Sequence, residues 1–134
     1  MKLVIVESPY AGDVTRNLLY ARLCMRDCLD RGEAPYASHL LYTQPLVLDD
    51  DQPEQRALGI EAGLCWGRIA ELVAVYEDFG LSGGMMLGIQ RARDNCTEHQ
   101  FRRLPMNVFN RHFPAPVRNE TTKLADTAST RSTD

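Results

Sequence analysis

The sequence predicts an α/β domain with a mainly parallel sheet between layers of helices. Two observations carry this expectation. Short β-branched runs alternate along the chain with longer stretches of helical periodicity, and such alternation builds a parallel sheet with helices on both faces. The runs Lys2 to Val6 and Leu72 to Tyr76 are apolar at nearly every position, as buried strands are. The chain has 134 residues, 44% of them apolar and 25% charged, which suits one globular domain with a core.

The elements follow in order. Lys2 to Val6 is a buried strand that ends in the turn Ser8-Pro9. Asp13 to Arg31 is a helix, with Val14, Leu18, Ala21, Met25, Cys28 and Leu29 at helical spacing. Asp13 or Thr15 caps its start and Gly32 fits its stop. Glu33 to Tyr36 is a short strand broken by Pro35, and Ser38 to Asp51 is a loop ending in three aspartates. Pro53 opens a second helix that is expected to run to about Ala70. Its stripe is Leu58, Ala62, Cys65 and Ile69, widened by Ala57, Ile60 and Leu64. A helix apolar over so much of its surface needs cover on more than one side, and a subunit interface is one way to supply it. Leu72 to Tyr76 is the clearest interior strand. Ser82 opens a third helix with Met85, Ile89, Ala92 and Cys96 inward, and Thr97 to Arg103 is a last edge strand. Residues 1–104 form the domain. Residues 105–134 are an extension without apolar periodicity, expected to be mobile beyond about residue 118.

Composition narrows the function classes. The formal net charge of −3 argues against general nucleic-acid binding. No apolar run approaches the roughly 20 residues of a membrane span. The Met1–Val6 start is charged and then apolar, but the run is short and Glu7 interrupts it, so it reads as a strand rather than a signal peptide. The expected location is therefore cytoplasmic. Cys24 and Cys28 stand at i,i+4, and no second Cys or His pair completes a metal site with them or with Cys65 and Cys96. No metal and no cofactor is expected.

Two strand-to-helix turns carry the candidate chemistry. In Ser82-Gly83-Gly84-Met85 the hydroxyl can cap the helix, and the free amides of the first turn favour an anion. Ser-Gly-Gly is also a common plain turn. Glu7-Ser8-Pro9-Tyr10 closes the first strand. A carboxylate is costly at the end of an apolar strand, and it can accept ribose hydroxyls while Tyr10 stacks on a base. Glu77 and Asp78 end the strand at Tyr76 and can act as acid, base or nucleophile toward a sugar. Ser38 and His39 can add a hydroxyl and an imidazole. Arg56 and the group Arg91, Arg93, Arg102 and Arg103 can pair with phosphates or simply face solvent.

These residues also carry a resemblance. The run Val6-Glu7-Ser8-Pro9-Tyr10-Ala11-Gly12-Asp13, with Asn17, Tyr20-Ala21-Arg22 and Gly32-Glu33-Ala34-Pro35, resembles a family found in phages and bacteria. So do Ser38-His39-Leu40-Leu41-Tyr42-Thr43-Gln44, Leu48-Asp49-Asp50, Glu54-x-Arg56-x-x-Gly59-Ile60-x-Ala62-Gly63, and Ser82-x-Gly84-Met85-x-x-Gly88-Ile89-x-x-Ala92. That family is similar to nucleoside 2-deoxyribosyltransferases, over about residues 2–104. The resemblance implies a three-layer, flavodoxin-like parallel sheet, a homo-oligomer, and a nucleoside, nucleotide or ADP-ribose-like ligand. In the transferases a Gly-rich turn leads to a helix that carries a catalytic glutamate. Its place falls here on Gly88, which has no side chain.

The expected function is therefore binding of a nucleotide-like small molecule: a nucleotide, a cyclic nucleotide or an ADP-ribose-type molecule. If the chain is phage-encoded, this would act as anti-defence sequestration of an immune signal in the host cytoplasm. The alternative is a transferase or hydrolase of N-glycosidic bonds with a relocated carboxylate. The catalytic candidates are Asp78, Glu77 and Glu7. The ligand-binding candidates are Glu7, Ser8, Pro9, Tyr10, Asn17, Ser38, His39, Arg56, Asp78, Ser82, Gly83, Gly84 and Met85.

Overall fold

A computed structural model describes residues 1–116. The mobile tail expected beyond about residue 118 lies outside the described residues. Strand β1 (Leu3–Glu7) is followed by helix α1 (Val14–Asp30), strand β2 (Ala34–Tyr36) and a 3-10 turn (Ser38–Leu40). Helix α2 (Pro53–Gly67), strand β3 (Leu72–Tyr76), helix α3 (Gly83–Asp94), strand β4 (Glu98–Arg102) and helix α4 (Met106–His112) complete the order. The strands form one all-parallel sheet in the order β2-β1-β3-β4. The chain leaves β1 toward one edge and returns beside it as β3. The carboxyl ends of β1 and β3 thus flank the switch point, where parallel sheets take their ligands.

The register sets the two faces. Glu7 pairs with Val75, and every residue of β3 is buried. Val73 and Val75 pack against Met85, Ile89 and Ala92 of α3, with Ile5 beside them. Tyr76 points the other way, and its hydroxyl donates to Asp27 Oδ2 of α1 at 2.6 Å. Helices therefore cover both faces, as the alternation predicts. Burial of each large apolar side chain here contributes about 1.5–3 kcal/mol.

Local chemistry explains the helix ends. Asp13 Oδ1 accepts from Arg16 N–H at 3.1 Å, and Gly32 follows α1 with φ +78. The buried face of α1 is Asn17, Tyr20, Ala21, Cys24 and Cys28. The expected stripe was offset: Leu29 is half exposed, while Tyr20 and Cys24 face the sheet. Polar groups satisfied at the sheet displace aliphatic ones there, which apolar periodicity does not register. Cys96 corrects another expectation. Helix α3 ends at Asp94, and Cys96 lies beyond it, exposed, with φ 54.

Helix α2 departs most. It ends at Gly67 rather than near Ala70, and none of its residues is buried. Leu58 and Ile69, expected inward, are 55% and 57% exposed. The helix is apolar nearly all round, so its periodicity does not select a face.

The core also contains an ion pair. Both guanidinium Nη atoms of Arg102 donate to Glu33 at 2.7 Å, joining the edge strand β4 to the residue before β2. Arg102 is thus buried in the fold rather than offered to a phosphate. By its contacts the chain divides into Met1–Leu104 and a second unit from Pro105. The described part of that second unit holds α4, a helix not expected from the sequence, whose Phe109 packs against Phe113 just beyond its end with ring centroids 5.2 Å apart.

Candidate functional site

The carboxyl end of β1 delivers Glu7 to the α3 face of the sheet, because side chains alternate along a strand and Ile5 lies on that face. Its carboxylate rests against Gly88 of α3. A Cβ placed on residue 88 would stand 2.8 Å from Glu7 Oε2 and still closer to Oε1 and Cδ. The glycine therefore makes room for the glutamate. Gly88 is itself buried, about a turn and a half into α3 from Ser82.

Electrostatics single out the same group. Burial raises the Glu7 pKa from 4.5 to about 7, partly opposed by the positive charge of Arg91, one turn further along α3. No hydrogen bond or salt bridge joins the Glu7 carboxylate to another described residue. A buried carboxyl with a raised pKa and no partner among the described residues makes Glu7 a candidate functional group.

The Ser82 turn stands at the head of the same helix. Ser82 Oγ accepts from Met85 N–H at 3.2 Å, so its hydroxyl is engaged as the helix cap. The Ser82 N–H lies 3.5 Å from Met85 Sδ. Met85 is buried in the core. The amides of Gly83 and Gly84 begin the helix at its positive end.

The first turn is braced from α1. Asn17, buried, donates from Nδ2 to the carbonyls of Tyr10 (2.8 Å) and Ala11 (3.1 Å). Its role is to shape the turn. Tyr10 stacks on His39 with centroids 4.9 Å apart and planes at 19°. Burial lowers the His39 pKa, opposed by a hydrogen bond with the Ser8 backbone and by the Asp50 charge. Ser8 is buried and its hydroxyl has no partner among the described residues. Beside Tyr10 a cavity of about 470 Å³ is lined by Gly12, Thr43, Leu48, Asp49, Asp50, Asp51 and Arg56 among others. Arg56 is on this outer side, and neither Glu7 nor Ser82 is among the lining residues.

The other carboxylate candidates are placed differently. Asp78 Oδ2 accepts from the Tyr20 hydroxyl at 2.5 Å and from Leu104 N–H at 3.0 Å. The Asp78 amide in turn donates to the Tyr20 oxygen at 3.0 Å. This carboxylate clamps α1 to the chain beyond β4. Glu77 lies 3.7 Å from Arg103 in a partly exposed ion pair. Nearby, Arg16 sits 4.0 Å over the ring of Phe79, which locks the head of α1 to the exit of β3. The fold thus brings Glu7, Tyr10, His39 and the head of α3 to one end of the sheet and commits Asp78 and Asn17 to holding that end together. Sequence reasoning treated Gly88 as a loss and missed its pairing with Glu7. The signal was present in two facts not connected there: a glutamate ending an apolar strand and a glycine inside a helix.

Comparison with known proteins agrees with this architecture. A family model described as Domain of unknown function (DUF7768) matches residues 2–102. No curated protein matches the chain by sequence. Among solved structures, a 2-deoxyribosyltransferase from the psychrotolerant bacterium Bacillus psychrosaccharolyticus, characterised as a biocatalyst for nucleoside synthesis, superposes with a TM-score of 0.61. The match covers 90% of this chain and 89% of that one, at 9% identity. The fold is that of the nucleoside 2-deoxyribosyltransferases.

Proposed function

The chain belongs to the family described as Domain of unknown function (DUF7768), and from its fold and site we propose that it binds a nucleoside or nucleotide at the carboxyl ends of β1 and β3 and acts on the N-glycosidic bond, with Glu7 as the reacting carboxylate. The observation that carries this reading is the unpartnered, buried Glu7 carboxyl lying in the space that Gly88 leaves open. Near pH 7 the group is present both as acid and as carboxylate. The acid can give a proton to a departing base, and the carboxylate can take one from water or attack an anomeric carbon. The amides at the head of α3 and Arg91 offer positive potential for a phosphate. Tyr10, stacked on His39, offers an aromatic face for the base.

The test is incubation with deoxynucleosides, deoxynucleotides and ADP-ribose-type molecules, with free base measured by chromatography. Base release that falls at least a hundredfold in Glu7→Gln supports the reading. A bound ligand recovered intact from denatured protein would remove the chemistry and leave the second reading, sequestration. That reading is favoured by the absence of any side chain at position 88 and by the commitment of Asp78 to the Tyr20 and Leu104 clamp. Asp78 serves this site through that clamp, as a positioning residue.

A further inference from the structure

The turns that follow β1 and β3 are far apart in the chain and lead to different helices. Surface turns open locally, each with its own stability. Here one side chain contacts the supports of both. Arg16 lies in the first turn of α1. Its Nε and Nη2 donate to Asn17 Oδ1 at 3.2 and 3.1 Å. Asn17 is 1% exposed, and its Nδ2 donates onward to the carbonyls of Tyr10 and Ala11. Both ends of that amide are thereby committed. A flipped amide would set its NH2 against the guanidinium and its oxygen against two carbonyls. Arg16 therefore fixes the group that shapes the first turn.

The same guanidinium reaches the second turn. Its carbon stands 4.0 Å from the centroid of the Phe79 ring, between β3 and Ser82. Tyr20 meets that ring edge-on at 4.9 Å and 79°, so Phe79 is held from two sides. A guanidinium serves both turns because its face stacks on a ring while its edge donates hydrogen bonds; an ammonium has neither a face nor a fork. We propose that Arg16 is a positioning residue that couples the two turns, so that the order of each depends on the other through one guanidinium. It acts through Asn17 and Phe79 rather than on the reacting atoms. The consequence for function rests on reading this end of the sheet as a nucleoside or nucleotide site: a ligand that orders one turn meets the other already ordered.

Hydrogen exchange of the full chain, read by NMR at pH 7, tests the coupling without any assay of turnover. The Asn17 side-chain amide protons report the first turn. The Gly80 N–H, bonded to the Glu77 carbonyl at 2.9 Å, reports the second. The amides of β3 report the whole fold and serve as the reference. Phe79→Leu changes the second turn, yet it is expected to speed exchange of the Asn17 protons at least threefold relative to β3. Arg16→Met is expected to speed both reporters by as much, and so is Arg16→Lys, which keeps the charge without the fork. Adding Phe79→Leu to Arg16→Met should leave the Asn17 protons no faster. The proposal is overturned by Asn17 protons that ignore Phe79→Leu, by a Phe79 effect that survives in Arg16→Met, by β3 amides that accelerate equally, or by wild-type exchange in Arg16→Lys. In the base-release assay Arg16→Met should raise KM at least tenfold and move kcat less than threefold; a fall in kcat at unchanged KM would overturn the positioning role. A wild type that releases no base would count against the chemistry at Glu7, while the exchange rates still decide the coupling.

Discussion

Glu7 and Gly88 occupy one volume from two elements: the carboxylate ending β1 fills the space where a side chain of α3 would start. The two positions are therefore coupled. Gly88→Ala must push aside the flexible end of the Glu7 side chain, so a net cost of about 1 kcal/mol, overpacking less alanine's advantage in a helix, is expected unless Glu7 is removed as well. In Glu7→Ala/Gly88→Ala the penalty should shrink. A double-mutant cycle from urea titrations measures this, and additive effects would contradict the shared volume.

The raised pKa of Glu7 fixes the sign of a pH effect. Between pH 4.5 and about 7 the folded protein keeps a proton that the unfolded chain releases. Stability from this group is full below 4.5 and is lost as pH rises through 7, by roughly 3 kcal/mol. Glu7→Gln removes that dependence. The variant should melt higher than the wild type at pH 8 and lose most of the advantage at pH 5. Parallel melting curves at all pH values would show that Glu7 is not desolvated.

Asp78 and Glu7 should separate by variant. Asp78→Asn weakens the acceptor for Leu104 N–H and Tyr20, so a stability loss of about 1–3 kcal/mol is expected with base release retained in the folded fraction. Glu7→Gln should do the reverse: a folded protein without base release. Rates normalised to folded protein distinguish the two, and loss of turnover in a stable Asp78→Asn would reassign the chemistry to Asp78.

The Glu33–Arg102 pair is buried and bidentate, so breaking it strands a charge. Arg102→Met should cost about 3–5 kcal/mol. Adding Glu33→Leu should return much of that loss, because no lone carboxylate remains. The hydrogen bond from Arg102 lowers the Glu33 pKa, so the pair's contribution is present above pH 4.5 and is lost as pH falls through the depressed value. Acid unfolding followed by circular dichroism should begin at higher pH in Arg102→Met if the fold relies on this pair.

By itself the sequence determined the parallel α/β architecture, because fully apolar strands and helical periodicity are local signals. It also determined both strand-to-helix turns, since Ser82 and Asp13 cap their helices through hydrogen bonds within one turn. The tertiary structure decided the rest. Asn17, Asp78 and Arg102 looked like ligand groups, because a polar side chain is equally good at holding a turn, a helix or a phosphate. Only the fold revealed that their partners are Tyr10, Tyr20 and Glu33. Helix α2 is apolar nearly all round, so its period could not say which side meets the chain and which is left open. Glu7 and Gly88 are 81 residues apart in number. Their contact depends on strand alternation pointing one toward α3 and on the helix presenting the other, a coincidence in space that no local pattern encodes.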